Sequence, residues 1–282
     1  MRSNLIKSTL TVIALILLAL PVAVMAQEDA KKKDNTGTNP INFTYDYRLY
    51  TEMQHFTDDA GSQIRGVMEF RAPLGRDMAN VLGKEAGLWR DLGSRFALRF
   101  RAYYNSLTLI DNTSDPSVAN TVSGIGDMDA RFLWLAHATN KFALAPGLEA
   151  FFNTSSPDVL GSGSTVLAPT IFFGFFNLLG NRSIFAPGFQ YHFNVNGETV
   201  SRTVIDLYFV WILGAGKNWV IFNPQPIIDH ENSTTFAQVD LEWGFMIVPK
   251  SGISGYIRPG IGVGADRPFD YNLEFAIKFV WR

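Results

Sequence analysis

The sequence predicts an all-β chain, a transmembrane antiparallel up-and-down β-barrel of about 12 strands, and three observations carry that reading. From residue 43 to residue 281, short stretches place apolar side chains on every second position with charged or polar ones between, the period of two that marks a strand. In FDYNLEFAIKFVW, Tyr271, Leu273, Phe275, Ile277, Phe279 and Trp281 share one face while Asn272, Glu274 and Lys278 share the other. Beyond residue 26 no apolar run reaches the roughly 20 residues of a membrane helix; the richest windows, TIFFGFFNLLG and LYFVWILGAG, are about 10 long, the length of a tilted membrane strand. The apolar faces carry no charge, so the solvent that suits them is lipid.

Residues 1–26 read as a secretory signal peptide: Arg2 and Lys7 form the positive end, Leu10 to Leu20 the apolar run, and Val24-Met25-Ala26 the cleavage site. A retained membrane helix is the rival reading, but the run is short and stops at Pro21. Removing Arg2 and Lys7 from 24 basic residues, against 26 acidic ones, leaves a mature charge of about −4, which argues against a nucleic-acid partner. An exported chain that is 47% hydrophobic and holds no cysteine does not suit a disulfide-stapled secreted domain. Its 13% aromatic content suits an outer-membrane barrel, where rings gather at both lipid interfaces. Residues 27–40 are a polar periplasmic lead-in, and residues 41–282 form the barrel.

Taken in order, the first strand covers 42–54, with Phe43, Tyr45, Tyr47, Leu49 and Met53 outward and Asp46, Arg48 and Glu52 inward. The second, 63–72, sets Ile64, Met68 and Phe70 against Arg65, Glu69 and Arg71; the third, 95–105, sets Phe96, Leu98, Phe100 and Tyr104 against Arg95, Arg99 and Arg101. In the fourth, 126–136, Met128, Phe132 and Trp134 oppose Asp127, Asp129 and Arg131. The fifth and sixth, 142–153 and 165–176, alternate less cleanly, with Glu149 opposite Leu148 and Phe152. The seventh, 185–194, turns Gln190, His192 and Asn194 inward, and the eighth, 205–211, turns Asp206 inward. Pro224 and Pro226 mark the ninth, 219–228, as bulged or irregular. The tenth, 237–247, is the clearest, with Gln238, Asp240 and Glu242 inward; the eleventh, 253–263, has Arg258 as its single charge, and the twelfth carries Lys278.

An even count lets the first strand pair with the last, which removes the free edges that hydrocarbon does not tolerate. With both termini in the periplasm, HATNK, NLLGNRS, GAGKN and PKSG are the short turns, and 106–124, 154–164 and 195–202 are the longer outward loops. Residues 73–94 break that rule, being long where a tight turn belongs; they hold a short helix, or the strand count is off by two. A soluble barrel also alternates, with its apolar set inside, but a ring this wide is hard to fill with one layer of apolar side chains.

The candidate lumen lining is Arg48, Glu69, Arg71, Arg95, Arg99, Arg101, Asp127, Asp129, Arg131, Glu149, His192, Asp206, Asp240, Glu242, Arg258 and Lys278. Two readings of it stay open: a transverse field that orients polar solutes, or a salt-bridged lining whose buried charges need partners. Enzyme signatures are weak. LGAGKN and GIGVGAD lack full phosphate-loop or dinucleotide spacing, and of four scattered histidines only His192 shares a face with a plausible partner, Asn194. The sequence suggests no catalytic residue, cofactor or metal site.

Three segments resemble an outer-membrane family named for the meta-pathway of phenol degradation, a group of transporters: GIGDMDARFLW (124–134), FALAPGLEAFFNTSSPDVLGSGSTVLAPT (142–170) and YIRPGIGVGADRPFDYNLEFAIKFVW (256–281). Two departures stand out. Asn153-Thr154-Ser155 replaces the Pro-Thr-Gly common in that family, and Arg282 follows the aromatic Trp281 on which assembly machinery would read the last strand. The resemblance implies passage of small compounds, aromatic or hydrophobic ones included, and a geometric role for Gly124, Gly126 and Asp127. The expectation is therefore a passive channel in the bacterial outer membrane, with lipids, a small solute and the assembly machinery as partners. The alternatives are a plugged structural or surface-interaction barrel and, less favoured, a barrel lipase.

Overall fold

A computed structural model describes residues 43–74, 95–110, 119–248 and 252–281. The signal peptide, the 27–40 lead-in, Arg282 and most of the 73–94 connection lie outside the described residues. Fourteen β segments follow one another: β1 (Tyr45–Phe56), β2 (Gly61–Pro73), β3 (Phe96–Ile110), β4 (Ala119–Ile125), β5 (Met128–Trp134), β6 (His137–Ala138), β7 (Phe142–Phe152), β8 (Ser164–Phe176), β9 (Ser183–Gly197), β10 (Ser201–Leu213), β11 (Asn218–Asp229), β12 (Thr234–Val248), β13 (Ile253–Val263) and β14 (Phe269–Trp281). Each pairs antiparallel with its neighbours, and β1 pairs with β14 from Tyr45↔Trp281 to Phe56↔Phe269. The result is a closed barrel of 12 strands, because β4, β5 and β6 are pieces of one wall strand: β4 lies on the distal half of β3, and β5 on its proximal half.

Period two fixes the two faces. On the outside, Trp243 is 59% exposed, Met68 54% and Leu241 50%; on the inside Asp129 and Glu149 are 0% and Lys278 1% exposed. Such a wall in water would be one continuous apolar patch, so lipid is its solvent. Near the chain-terminal end, aromatic rings run across the outer wall: Phe142 meets Phe175 at 5.3 Å, Phe175 meets Phe185 at 6.0 Å, and Phe185 meets Phe209 at 4.7 Å. Tyr271 and His55 stack at 4.9 Å near the opposite end.

Several expectations are corrected. β11 is not bulged: its ladder to β12 is unbroken from Asn218 to Asp229, and its register on β10 is the same on both sides of a gap in pairing at Asn223–Pro226. Pro224 and Pro226 are two residues apart, so both missing donors point at the same neighbour, β10, and the β12 side keeps all of its bonds. The 106–124 segment is not a plain loop: β3 continues to Ile110 and β4 pairs back onto it. Asn120, Thr121 and Ser123 give β4 no apolar face, so alternation does not mark it. The 195–202 connection is tight, since β9 ends at Gly197 and β10 starts at Ser201. Phe43 precedes β1 and does not face outward. It packs on the cluster of Leu133, Ala143, Ala145 and Phe172 inside the far wall.

Phe275→Arg places a guanidinium on the lipid face near mid-wall and is expected to lower unfolding free energy by about 2–4 kcal/mol. Urea titration of refolding into vesicles measures it, and an unchanged midpoint would show that Phe275 does not meet lipid.

Candidate functional site: the charged bore

The inward face is built row by row from cross-strand partners. Arg71, Arg99, Arg131 and Glu149 are successive partners on β2, β3, β5 and β7, and Glu69, Arg101, Asp129 and Phe151 form the next row. Three arginines side by side would repel, but carboxylates from both rows reach between them. Arg101 Nε lies 2.8 Å from Asp129 Oδ2 and Arg99 Nη2 lies 3.1 Å from Asp129 Oδ1. Glu149 takes Arg131 Nε at 2.6 Å and Arg101 Nη2 at 3.0 Å, and also pairs with Arg99. Tyr103 donates its hydroxyl to Asp129 Oδ2 at 2.6 Å.

A second network joins β1 and β2. Arg71 Nε is 2.7 Å from Glu69 Oε1, and Arg48 Nε is 3.0 Å from Asp46 Oδ1 and 3.4 Å from Glu69 Oε1. A third spans β12, β13 and β14, where Arg258 bridges Glu242 and Glu274. Trp219 donates its indole N–H to Glu242 Oε1 at 2.6 Å, and Lys278 Nζ sits 5.0 Å above the same ring. The geometry is that of a salt-bridged lining, since all the charges of these networks have partners of opposite sign or an aromatic face.

Facing these networks at the terminal end is an apolar wall that sequence reasoning missed. Ile184, Ala186, Val210, Trp219, Ile221, Tyr256 and Ala276 form one buried cluster, and the Phe172 group forms another. They occupy inward positions in β5, β7–β11, β13 and β14, and in β8–β11 the strand ends near the turns are apolar on both faces. A run apolar on both faces gives period two nothing to sort. Between the ionic and apolar walls lies a void of about 140 Å³, bounded by Phe43, Arg99, Phe172, Tyr208, Glu242 and Arg258.

Of the candidate lining residues, the structure brings Arg48, Glu69, Arg71, Arg99, Arg101, Asp129, Arg131, Glu149, Glu242, Arg258 and Lys278 into these networks. His192, Asp206 and Asp240 are buried on the inner face nearer the loop end. Arg95 precedes β3 at the terminal rim. Asp127 lies where the wall strand breaks between β4 and β5, so strand parity stops there and the carboxylate is taken up by the 154–162 loop, whose Leu160 carbonyl accepts from the inner-face Asn105. Asp127 Oδ1 accepts the Thr154 and Ser155 amides, each at 3.1 Å, and its Oδ2 accepts the Ser162 amide at 2.6 Å and hydroxyl at 2.8 Å. Asp127 thereby pins the 154–162 loop against the barrel rim. Gly126 and Gly124 permit the approach, since a Cβ on the first would strike Asn105 and on the second the Ser156 carbonyl. His192 shares a hydrogen bond with Gln190 at 3.2 Å and stacks on Phe151 at 5.3 Å.

Among solved structures the chain is similar to an outer-membrane channel from Pseudomonas putida F1, at a TM-score of 0.61 and 9% identity over 91% of this chain and 100% of that one. It is also similar to the NanC porin, at a TM-score of 0.51 and 9% identity over 84% and 99%. The fold is that of a bacterial outer-membrane β-barrel. No family model and no curated protein matches the sequence.

Glu149→Gln removes the charge shared by three arginines and is expected to cost about 3–5 kcal/mol, the usual penalty of breaking a buried ion pair from one side; the urea midpoint of the refolded barrel reads it. Asp127→Ala leaves the wall intact and is expected to speed hydrogen exchange at the Thr154, Ser155 and Ser162 amides by at least ~10-fold, given ~1.5–3 kcal/mol for a hydrogen bond to a charged group.

Proposed function

We propose that this protein is an outer-membrane channel for passive passage of small molecules. The observation that carries the reading is the inner surface itself: a closed membrane barrel lined from end to end by paired ions, amides and a facing apolar patch. Likeness in fold to barrels described as a channel and a porin supports the reading.

The resemblance of residues 124–134, 142–170 and 256–281 to the phenol meta-pathway family supports small aromatic or hydrophobic compounds as cargo. So does the void between the ionic and apolar walls. Its volume of about 140 Å³ compares with the ~150 Å³ that admits one benzene ring in a protein interior, and Phe172, Trp219 and Ile221 border it or its apolar wall. Passage then needs the Arg99–Glu149 and Arg258–Glu242 contacts to yield as the solute moves between the ionic and apolar walls. Selectivity would come from bore width and from the arginines and carboxylates of the lining.

A plugged barrel whose loops do the work is the second reading, favoured by the small size of the same void. Replacing both Arg99 and Arg101 with Gln separates the two. In planar bilayers the native protein is expected to give discrete conductance steps, and the double variant to shift ion selectivity toward cations. Silence from a folded native barrel, or a variant that changes only in stability, would favour the plug.

A further inference from the structure

Nearer the loop end the inner wall changes character. From β9 round to β14 it carries carboxylates and amides in one connected belt. Gln190 Nε2 donates to Asp206 Oδ2 at 2.9 Å, and Gln225 donates to the other oxygen. Gln225 faces Gln238 across the β11–β12 ladder, Gln238 Nε2 donates to Asp240 Oδ2 at 2.8 Å, and Asn272 Nδ2 donates to Asp240 Oδ1 at 3.3 Å. Among the described residues neither Asp206 nor Asp240 takes part in an ion pair. Arg258 is engaged by Glu242 and Glu274 instead.

Gln190, Gln225, Gln238 and Asn272 have no freedom in which end they present to the aspartates. A carboxylate only accepts, so each amide must give it N–H and turn its carbonyl elsewhere. Two carbonyl oxygens are left over: Asn272 Oδ1 and Asn223 Oδ1 have no hydrogen-bond partner, although the residues are only 3% and 8% exposed. Asn223 is the direct cross-strand partner of Asp240 on the inner face. Between Asp240 and Asn272 stands Gly260, where a Cβ would run into Asp240 Oδ1 and Asn272 Oδ1. The belt is thus rich in acceptors, holds two carboxylates outside any salt bridge among the described residues, and uses Gly260 to let Asp240 Oδ1 and Asn272 Oδ1 close over the backbone between them. What it lacks is a positive charge bearing several donors.

We propose that this belt is a binding subsite for small organic cations with several N–H donors, primary ammonium and guanidinium compounds, held by Asp206 and Asp240 with Asn223 and Asn272 as flanking acceptors. It rests on the channel reading for the onward path of the solute, whereas binding itself does not need conduction. A guanidinium or ammonium head matches two carboxylates and neutral carbonyls better than a bare monovalent ion, because each donor finds a separate oxygen.

The probe is agmatine, which carries both head groups, titrated calorimetrically into the full mature protein refolded in detergent, with hexamethonium as a dication that has no N–H. Agmatine is expected to bind saturably and hexamethonium at least ~10-fold more weakly. The Asp206→Asn/Asp240→Asn pair is expected to weaken agmatine by at least ~10-fold, and Asn223→Leu, which keeps both acids, by several-fold, while Glu198→Gln on the outer loop changes nothing. Circular dichroism and heat-shifted gel mobility confirm that each variant is folded. Absence of agmatine binding, equal binding of hexamethonium, or affinity unchanged in the folded acid and Asn223 variants overturns the proposal. In bilayers, a protein that binds agmatine yet passes no current keeps the subsite and loses the channel, whereas one that conducts but ignores agmatine does the reverse.

Discussion

Hydrocarbon offers no hydrogen bonds, so every backbone N–H and C=O within the membrane must find its partner in the chain itself. The ladder between β1 and β14, continuous from Tyr45↔Trp281 to His55↔Tyr271, meets that demand by joining the two ends of the sheet. Everything else follows from closure. Once the sheet is a ring, one face of every strand is committed to lipid and the other to an enclosed bore, and side chains of opposite character can alternate along the whole length without conflict.

Enclosure then imposes its own condition. Charges that would be solvated on an open surface are crowded and buried inside the ring, where an ion without a partner costs several kcal/mol. The lining answers with shared carboxylates: Asp129 and Glu149 each serve more than one arginine, and Arg258 links two strands by holding Glu242 and Glu274. Even the two glutamates that face each other across the closing seam, Glu52 and Glu274, are each held by an arginine, Arg65 and Arg258 respectively. These cross-strand pairs brace the barrel as well as line it. Lining and barrel rigidity are therefore properties of the same side chains.

At the loop rim the same economy of carboxylates serves a different purpose. The wall strand that begins as β4 breaks at Gly126 and Asp127, and the freed Asp127 gathers the 154–162 loop through four hydrogen bonds. Below it the Asp206 and Asp240 belt holds amides rather than arginines. The bore is thus graded, from apolar and ionic walls at the terminal end, through the arginine networks, to acceptors near the loops.

The orientation of outward Leu241, Trp243 and Phe275, and of inward Arg99, Glu149 and Glu242, was legible in the sequence, because strand geometry sends successive side chains to opposite faces whatever the neighbours are. That rule also gave the even strand count that closure requires. It failed where its premise failed: at Asp127, where the strand is interrupted; in β4, which is polar on both faces; and at Val210, Trp219 and Ile221, where apolar residues point inward as well as outward. Pairing was beyond it. Arg99 meets Asp129 and Glu149 from 30 and 50 residues away, a matter of register and barrel curvature that no local pattern encodes. The sequence by itself determined which face each side chain of a regular strand takes, since that depends only on backbone geometry. The tertiary structure alone decided which charges meet, which amides are left with an open oxygen and how wide the bore is, since those depend on strands brought together by closure.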